Sequence, residues 1–288
     1  MPIFFVICGI LQADKNPEGI KLKEAFKFLL KRCKQLLIPY FIFGIGLIIL
    51  YQILYLVGGS ALTYKEQLVS LITLRGIGSM WFIPCYLISE CIFVFFLCKL
   101  PDIIRLLFIL GTIVMIVITN SNGMLGEAFF GGYAIGIVFI YVGFCAERYQ
   151  LVKKCSLPVA AILLMICNIS AQLNGFVGIG ALQLQNAGLF FMNGILESMA
   201  VIVICSYIEK RVSANLVEMF GKNTIIVVCT NNILIEVIRL VDYKFTGNLL
   251  INWGMVGNVV FFAILVICES LFITVAKGKL RWIFGKIS

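Results

Sequence analysis

The sequence predicts an all-α polytopic transmembrane helical bundle, eight full spans plus a partial N-terminal span, and three observations carry that reading. Composition is the first: 61% of the 288 residues are hydrophobic and 13% charged, with mean hydropathy +1.06, too little polar cover for a soluble domain of this size. The second is segmentation, because apolar runs at 36–57, 80–98, 103–119, 128–145, 158–172, 187–206, 223–241 and 249–274 each approach the ~20 residues that cross ~30 Å of hydrocarbon. Backbone groups in lipid must be satisfied internally, and runs of this length exclude the short alternating strands of a closed barrel. The third is charge sorting. Of the 23 Lys and Arg residues, all but Lys65, Arg75, Arg239 and Lys244 fall in alternate gaps between those runs.

Basic residues mark cytoplasmic loops, so the sorting gives one topology, with residue 1 outside and residue 288 inside. The gaps at 58–79, 120–127, 174–186 and 242–248 then lie outside. The stretch 1–11 is apolar but too short to cross alone, and it lacks the basic leader and cleavage site of a signal peptide. It reads as the end of a span whose beginning is absent. At 21–34 (KLKEAFKFLLKRCK), Lys23, Lys27, Lys31 and Lys34 share one helical face and Phe26, Leu29, Leu30 and Cys33 another, which predicts a helix lying along the cytoplasmic headgroups. A second amphipathic stretch, 213–220, precedes the span at 223. No repeat, low-complexity tract or linker interrupts the chain, so 1–288 reads as a single integral membrane domain.

The net charge of +9 does not imply nucleic acid, because the basic residues sit on one side of the membrane in short loops, where anionic lipid headgroups explain them. Membrane lipids are the expected partner. The 11 cysteines form no CxxC, and those inside spans read as small buried apolar residues. With no histidine, neither a metal site nor a Ser–His or Cys–His catalytic pair is expected.

Four patches in series resemble the acyltransferase family 3 membrane enzymes. MPIFFVICGIL at 1–11 is similar to the pattern of that family's second helix, and KRCKQLLIPYFIF at 31–43 to its basic segment leading into a PY-containing helix. GSMWFIPCYLISE at 78–90 resembles the WF-containing helix entry, and FGKNTIIVVCTNNILI at 220–235 the late GKNS-type helix start. The resemblance implies transfer of an acyl group, often acetyl, from a cytoplasmic acyl-CoA such as acetyl-CoA to a hydroxyl of an extracytoplasmic cell-envelope glycan, in a bacterial plasma membrane. Two departures stand out. The family's histidine-bearing first helix has no counterpart after Met1, and the histidine that follows the late motif is replaced by Asn231, which hydrogen-bonds but takes no proton near neutral pH. The chain as it stands is therefore expected to bind donor without robust turnover.

Ionisable groups deep in a span cost at least ~2.5 kcal/mol, which makes each a candidate for the bundle interior. Glu90, with Tyr86 one turn away and Pro84 loosening the helix above it, either orients substrate, moves a proton or pins helices. Asn232, Glu236 and Arg239 share one face, and Glu236 and Arg239 can pair at i,i+3. That stripe is interhelical glue or a cavity wall. Asn193 and Glu197 repeat the i,i+4 arrangement and are expected to pack, while Glu269 is placed near a span end where snorkelling suffices. Trp81 fits an interfacial belt by position, and the resemblance adds a substrate role. Arg32 with Lys31 and Lys34 suits lipid headgroups, the favoured reading on the residues alone, and the resemblance adds the phosphates of an acyl-CoA donor. The candidate site is thus Glu90, Asn231 and Asn232 for chemistry, Trp81, Tyr86, Glu236 and Arg239 for the cavity, and no metal. A transporter or flippase for a glycan or lipid-linked substrate is the competing class, since it too carries midplane acids and broken helices.

Overall fold

The computed structural model describes residues 2–15, 18–56, 64–123, 131–211, 215–278 and 280–284, and they are almost wholly helical. Seven described helices are long and apolar enough to span a membrane. The predicted span at 128–145 corresponds to α6 (Gly131–Arg148), which is not one of these seven; its predicted start at 128–130 lies outside the described residues, as do residue 57 of the span 36–57, 58–63 and 124–127 of the predicted outer gaps, residues 213–214 of the amphipathic stretch 213–220, and Lys279 and Lys286. The chain divides into two compact units, Met1–Leu29 with Cys85–Ala214, and Leu30–Pro84 with Asn215–Ser288.

In the first unit, α1 (Pro2–Lys15) is packed along α6. A stretch too short to cross a membrane by itself is here buried protein, with Phe5, Val6 and Cys8 almost completely enclosed. The approach is close because glycines face backbone from both sides. A Cβ on Gly9 would run into the Ile140 carbonyl, and one on Gly143 into the Val6 carbonyl. Phe139 of α6 lies 5.7 Å, edge to face, from Phe190 of α9 (Ala187–Glu209). After the short α7 (Leu151–Lys154), pairing of α8 (Leu157–Asn174) with α9 rests on the small Ala160 and Ala200 against Val203. Between them, β1 (Val177–Gly178) and β2 (Gln183–Leu184) form a minimal antiparallel pair, and Asn186 caps α9 by accepting from Leu189 N at 3.0 Å. The outward face of α5 (Asp102–Ser121) is a continuous apolar surface, as lipid requires.

Helix α2 (Leu22–Leu56), which belongs to the first unit through Leu29 and to the second from Leu30 on, corrects the sequence reading: the basic run at 21–34 is not a separate interfacial helix but leads into the first turns of one unbroken 35-residue helix, about 52 Å long. Good helix formers continue without a breaker until Pro39. The predicted outer gap at 58–79 also differs. From Tyr64 onward it folds back on the middle of α2, with α3 (Tyr64–Ile72) held by Tyr40 Oη donating to the Leu71 carbonyl at 3.0 Å and Leu71 seated on Gly44. A turn through Leu74 and Gly76, both at positive φ, then feeds a 3₁₀ turn, Gly78–Trp81, that opens α4 (Phe82–Phe95). Pro84 sits in the first turn of α4, where its missing N–H removes no helical bond, so it does not loosen the helix.

The amphipathic stretch forms α10 (Asn215–Lys222), in which Lys222 Nζ donates to Glu218 at 2.5 Å and so holds that carboxyl below the usual carboxylate range. It leads into α11 (Thr224–Thr246), which packs on α13 (Gly254–Gly278). The intervening turn and α12 (Leu249–Asn252) are tied by Asp242, which accepts from Thr246 Oγ1 and from Leu250 N. The last short helix, α14 (Arg281–Phe284), brings Phe284 to within 5.4 Å of Phe43.

Candidate functional site

The predicted site residues fall into two groups, one in each unit. In the first unit Glu90 is fully enclosed, at 0% exposure, and the Gln12 amide of α1 donates to its Oε1 at 2.6 Å. Gln12 had no role in the sequence reading. One turn before, Tyr86 is half-buried with its ring 6.0 Å from Phe5. Ser89 donates to the Tyr133 carbonyl at 3.0 Å and Cys85 to the Gly132 carbonyl at 3.2 Å, so hydrogen bonds fasten α4 to α6 on both sides of Tyr86. Gly136 permits this contact, since a Cβ there would meet Ser89 and Phe5.

The same unit contains a cleft of about 710 Å³ at the end of α5 and α6 that charge sorting assigns to the cytoplasm. Asp14, Lys99, Asp102, Arg105, Glu147 and Arg148 line it together with Phe144. Arg105 organises it: only 4% exposed, it donates from Nε to the Leu97 carbonyl at 2.9 Å and from Nη2 to Cys98 at 2.9 Å and Leu100 at 2.8 Å. Its guanidinium lies 5.1 Å from the Phe144 ring and 3.5 Å from Asp102, which also accepts from Arg148 at 2.8 Å. Sequence reasoning counted Arg105 and Arg148 only as loop charges. The available signal was the Asp102–Arg105 spacing of i,i+3 directly after Pro101, the mark of a helix start.

In the second unit the 3₁₀ turn Gly78–Trp81 lies on α11. Ser79 Oγ donates to the Val228 carbonyl at 3.1 Å, and Gly78, at φ +55°, lies so close to Asn232 that a Cβ would collide with its amide. Asn232 Nδ2 is buried and bonds no acceptor among the described residues. Asn231 beside it is half-buried, as is Trp81, which meets Phe82 edge to face at 6.2 Å. Further along the helix Glu236 and Arg239 pair at 3.6 Å, as their spacing predicts, with Tyr51 of α2 in electrostatic reach of both. The Arg239 side chain is 61% exposed. On α2, Lys31 and Lys34 are exposed and Arg32 is half-buried.

Two expectations change. Asn193 is buried but Glu197 is exposed, so they do not share one packed face: that face of α9 turns away between them. Glu269 does not snorkel. It is 2% exposed and bonded to Thr230, because its position on α13 points at α11 instead of along the helix toward the headgroups.

The four sequence patches occupy the parts that build these groups: 2–11 lies in α1, 31–43 lies in α2, 78–90 is the 3₁₀ turn with the start of α4, and 220–235 joins α10 to α11. A family model described as an acyltransferase domain matches residues 1–275. The chain belongs to acyltransferase family 3. No curated protein and no solved structure matches it. As a member of this family it is a membrane acyltransferase by lineage, and the match covers most of both units. Among the described residues no group of His, Cys, Asp and Glu is arranged to hold a metal ion.

Proposed function

We propose that the protein moves an acyl group, acetyl in the simplest case, from a cytoplasmic acyl-CoA to a hydroxyl of an extracytoplasmic cell-envelope glycan. The family match carries this reading, and three features of the residues support it. Cations for the donor's phosphates are present at Lys99 and Arg148 of the cleft and on α2 at Lys31, Arg32 and Lys34. Asn232 keeps a buried N–H without an acceptor among the described residues, suited to a substrate oxygen, with Trp81, Glu236 and Arg239 as cavity wall. Glu90 is a buried carboxyl whose Oε1 accepts from the Gln12 amide, which fixes the direction in which the carboxyl points.

In the reaction the acceptor oxygen bonds to the thioester carbonyl carbon, the C–S bond breaks, and CoA leaves as a thiolate. The hydroxyl proton needs an acceptor. Asn231 cannot serve, which leaves Glu90 as the candidate base and a rate below that of a histidine site. Purified protein with labelled acetyl-CoA and an envelope glycan is expected to bind donor saturably and to transfer it slowly. Glu90→Gln is expected to reduce that transfer by about 10²-fold, and Asn232→Leu by about tenfold. Absence of saturable donor binding, combined with movement of a lipid-linked glycan across proteoliposomes, would replace this reading with a flippase.

Topology has its own test. A single cysteine at position 65 in a cysteine-depleted variant is expected to react with an impermeant reagent from the outer face. Reaction only after the inner face is exposed would invert the orientation and, with it, the assignment of donor and acceptor sides.

A further inference from the structure

Glu269 is a buried carboxyl on α13 with no part in the reading above, and its surroundings define its protonation. Its Oε2 lies 2.8 Å from Thr230 Oγ1, and that same hydroxyl lies 2.9 Å from the Ile226 carbonyl. A threonine hydroxyl has one proton and here faces two oxygens, one of them a carbonyl that only accepts. Both contacts are hydrogen bonds when Thr230 donates to Ile226 and the carboxyl supplies a proton of its own. The other oxygen, Oε1, is buried and has no partner among the described residues, and no cation pairs with Glu269 there. From α11 it faces Thr230 and Cys229, and its neighbours on α13 are Cys268 and Ser270. A bare carboxylate with a single bond in this setting bears the full desolvation penalty of a charge in hydrocarbon, whereas a neutral acid leaves only a weak carbonyl acceptor unbonded.

We propose that Glu269 is a neutral carboxylic acid in the folded protein, donating its own O–H to Thr230, and that this bond makes it a positioning residue for the adjacent Asn231–Asn232 pair. Thr230 is bonded back to its own helix, so the Glu269 contact fixes both the rotation of α11 and its distance from α13 at the turn that presents Asn231 and Asn232. The catalytic consequence rests on the acyl-transfer reading. The bond itself does not.

The infrared difference between the native protein and Glu269→Gln at neutral pH is expected to contain the carbonyl stretch of a protonated carboxyl, shifted by deuterium exchange. In Thr230→Val the same stretch is expected to persist and move toward that of a less strongly bonded acid. A difference spectrum without a protonated-acid band overturns the neutral state. A band unmoved by Thr230→Val overturns the bond. For positioning, a reporter cysteine at 232 is labelled by an impermeant thiol reagent in a cysteine-depleted background. Glu269→Gln, which keeps a neutral donor, is expected to leave the rate unchanged, and Glu269→Ala to alter it by about tenfold. Equal rates in both variants would remove the positioning role. These readouts require no turnover, so failure of acyl transfer would count against the proposed function and leave this inference standing.

Discussion

Gly143→Val is expected to destabilise the protein by about 3 kcal/mol, at or beyond the usual range for overpacking, because the obstructing atom is the Val6 carbonyl of α1 and not a side chain that can rotate away. Gly9→Val meets the Ile140 carbonyl from the other side and is expected to act similarly. The two effects should not add, since either substitution alone pushes the helices apart. Gly111 is the matched control: it lies mid-helix in α5 with nothing within 4 Å of where a methyl group would be added, so Gly111→Ala is expected to be neutral or to stabilise by up to about 1 kcal/mol. Thermal unfolding in detergent reads all three. Equal melting temperatures for Gly143→Val and Gly111→Ala would show that α1 is not seated against α6 as described.

Arg105→Met is expected to destabilise by about 3–5 kcal/mol, the range for removing one partner of a buried ionic network. The carbonyls of Leu97, Cys98 and Leu100 would lose the Arg105 donor at once; that of Leu97 keeps a bond from Leu100 N, whereas the buried Cys98 carbonyl is left unsatisfied at a cost of about 1–3 kcal/mol. Arg105→Lys should recover part of the loss, because one ammonium cannot reproduce the planar fork that reaches all three. By contrast Asp102→Asn is expected to cost less than about 1 kcal/mol, since Asp102 and Arg148 are both about half exposed. The same unfolding assay separates the two positions, and a severe Asp102→Asn with a mild Arg105→Met would show that the ion pair, not the carbonyl cage, holds the cleft together.

Helix identity and span positions were legible in the sequence because lipid imposes one local rule on every segment, and α4, α5, α8, α9, α11 and α13 appear close to where hydropathy puts them. Pairs on one helix were legible for a similar reason, and Glu236–Arg239 is the instance. Contacts between distant residues were not. Gln12 and Glu90 are 78 positions apart and Ser79 and Val228 are 149 apart, and no periodicity connects them. The fold-back of 64–81 was missed because polar, glycine-containing stretches between spans look alike whether they face water or return to the bundle. Glu269 was misread because distance from a helix end was weighed without the neighbour that turns the side chain inward. Family membership was legible from short patches in order, because each patch is a local string that needs no knowledge of what it packs against.

Helices α5 and α6 are adjacent in sequence and contact each other, yet they live under opposite rules. Most of the apolar stretch of α5 lies open, only 17% of it buried, whereas α6 is enclosed at nearly every turn from Tyr133 to Ala146. Along α5, leucine, isoleucine, valine, phenylalanine and methionine are interchangeable wherever they meet only acyl chains, so its text can be rewritten almost freely between Leu106 and Ile118 while the helix stays in place. Along α6 each letter is dictated by a facing surface. Mutational drift should therefore accumulate on one helix and stall on its neighbour, and a saturation library would draw the boundary of the protein's interior without any structure at all.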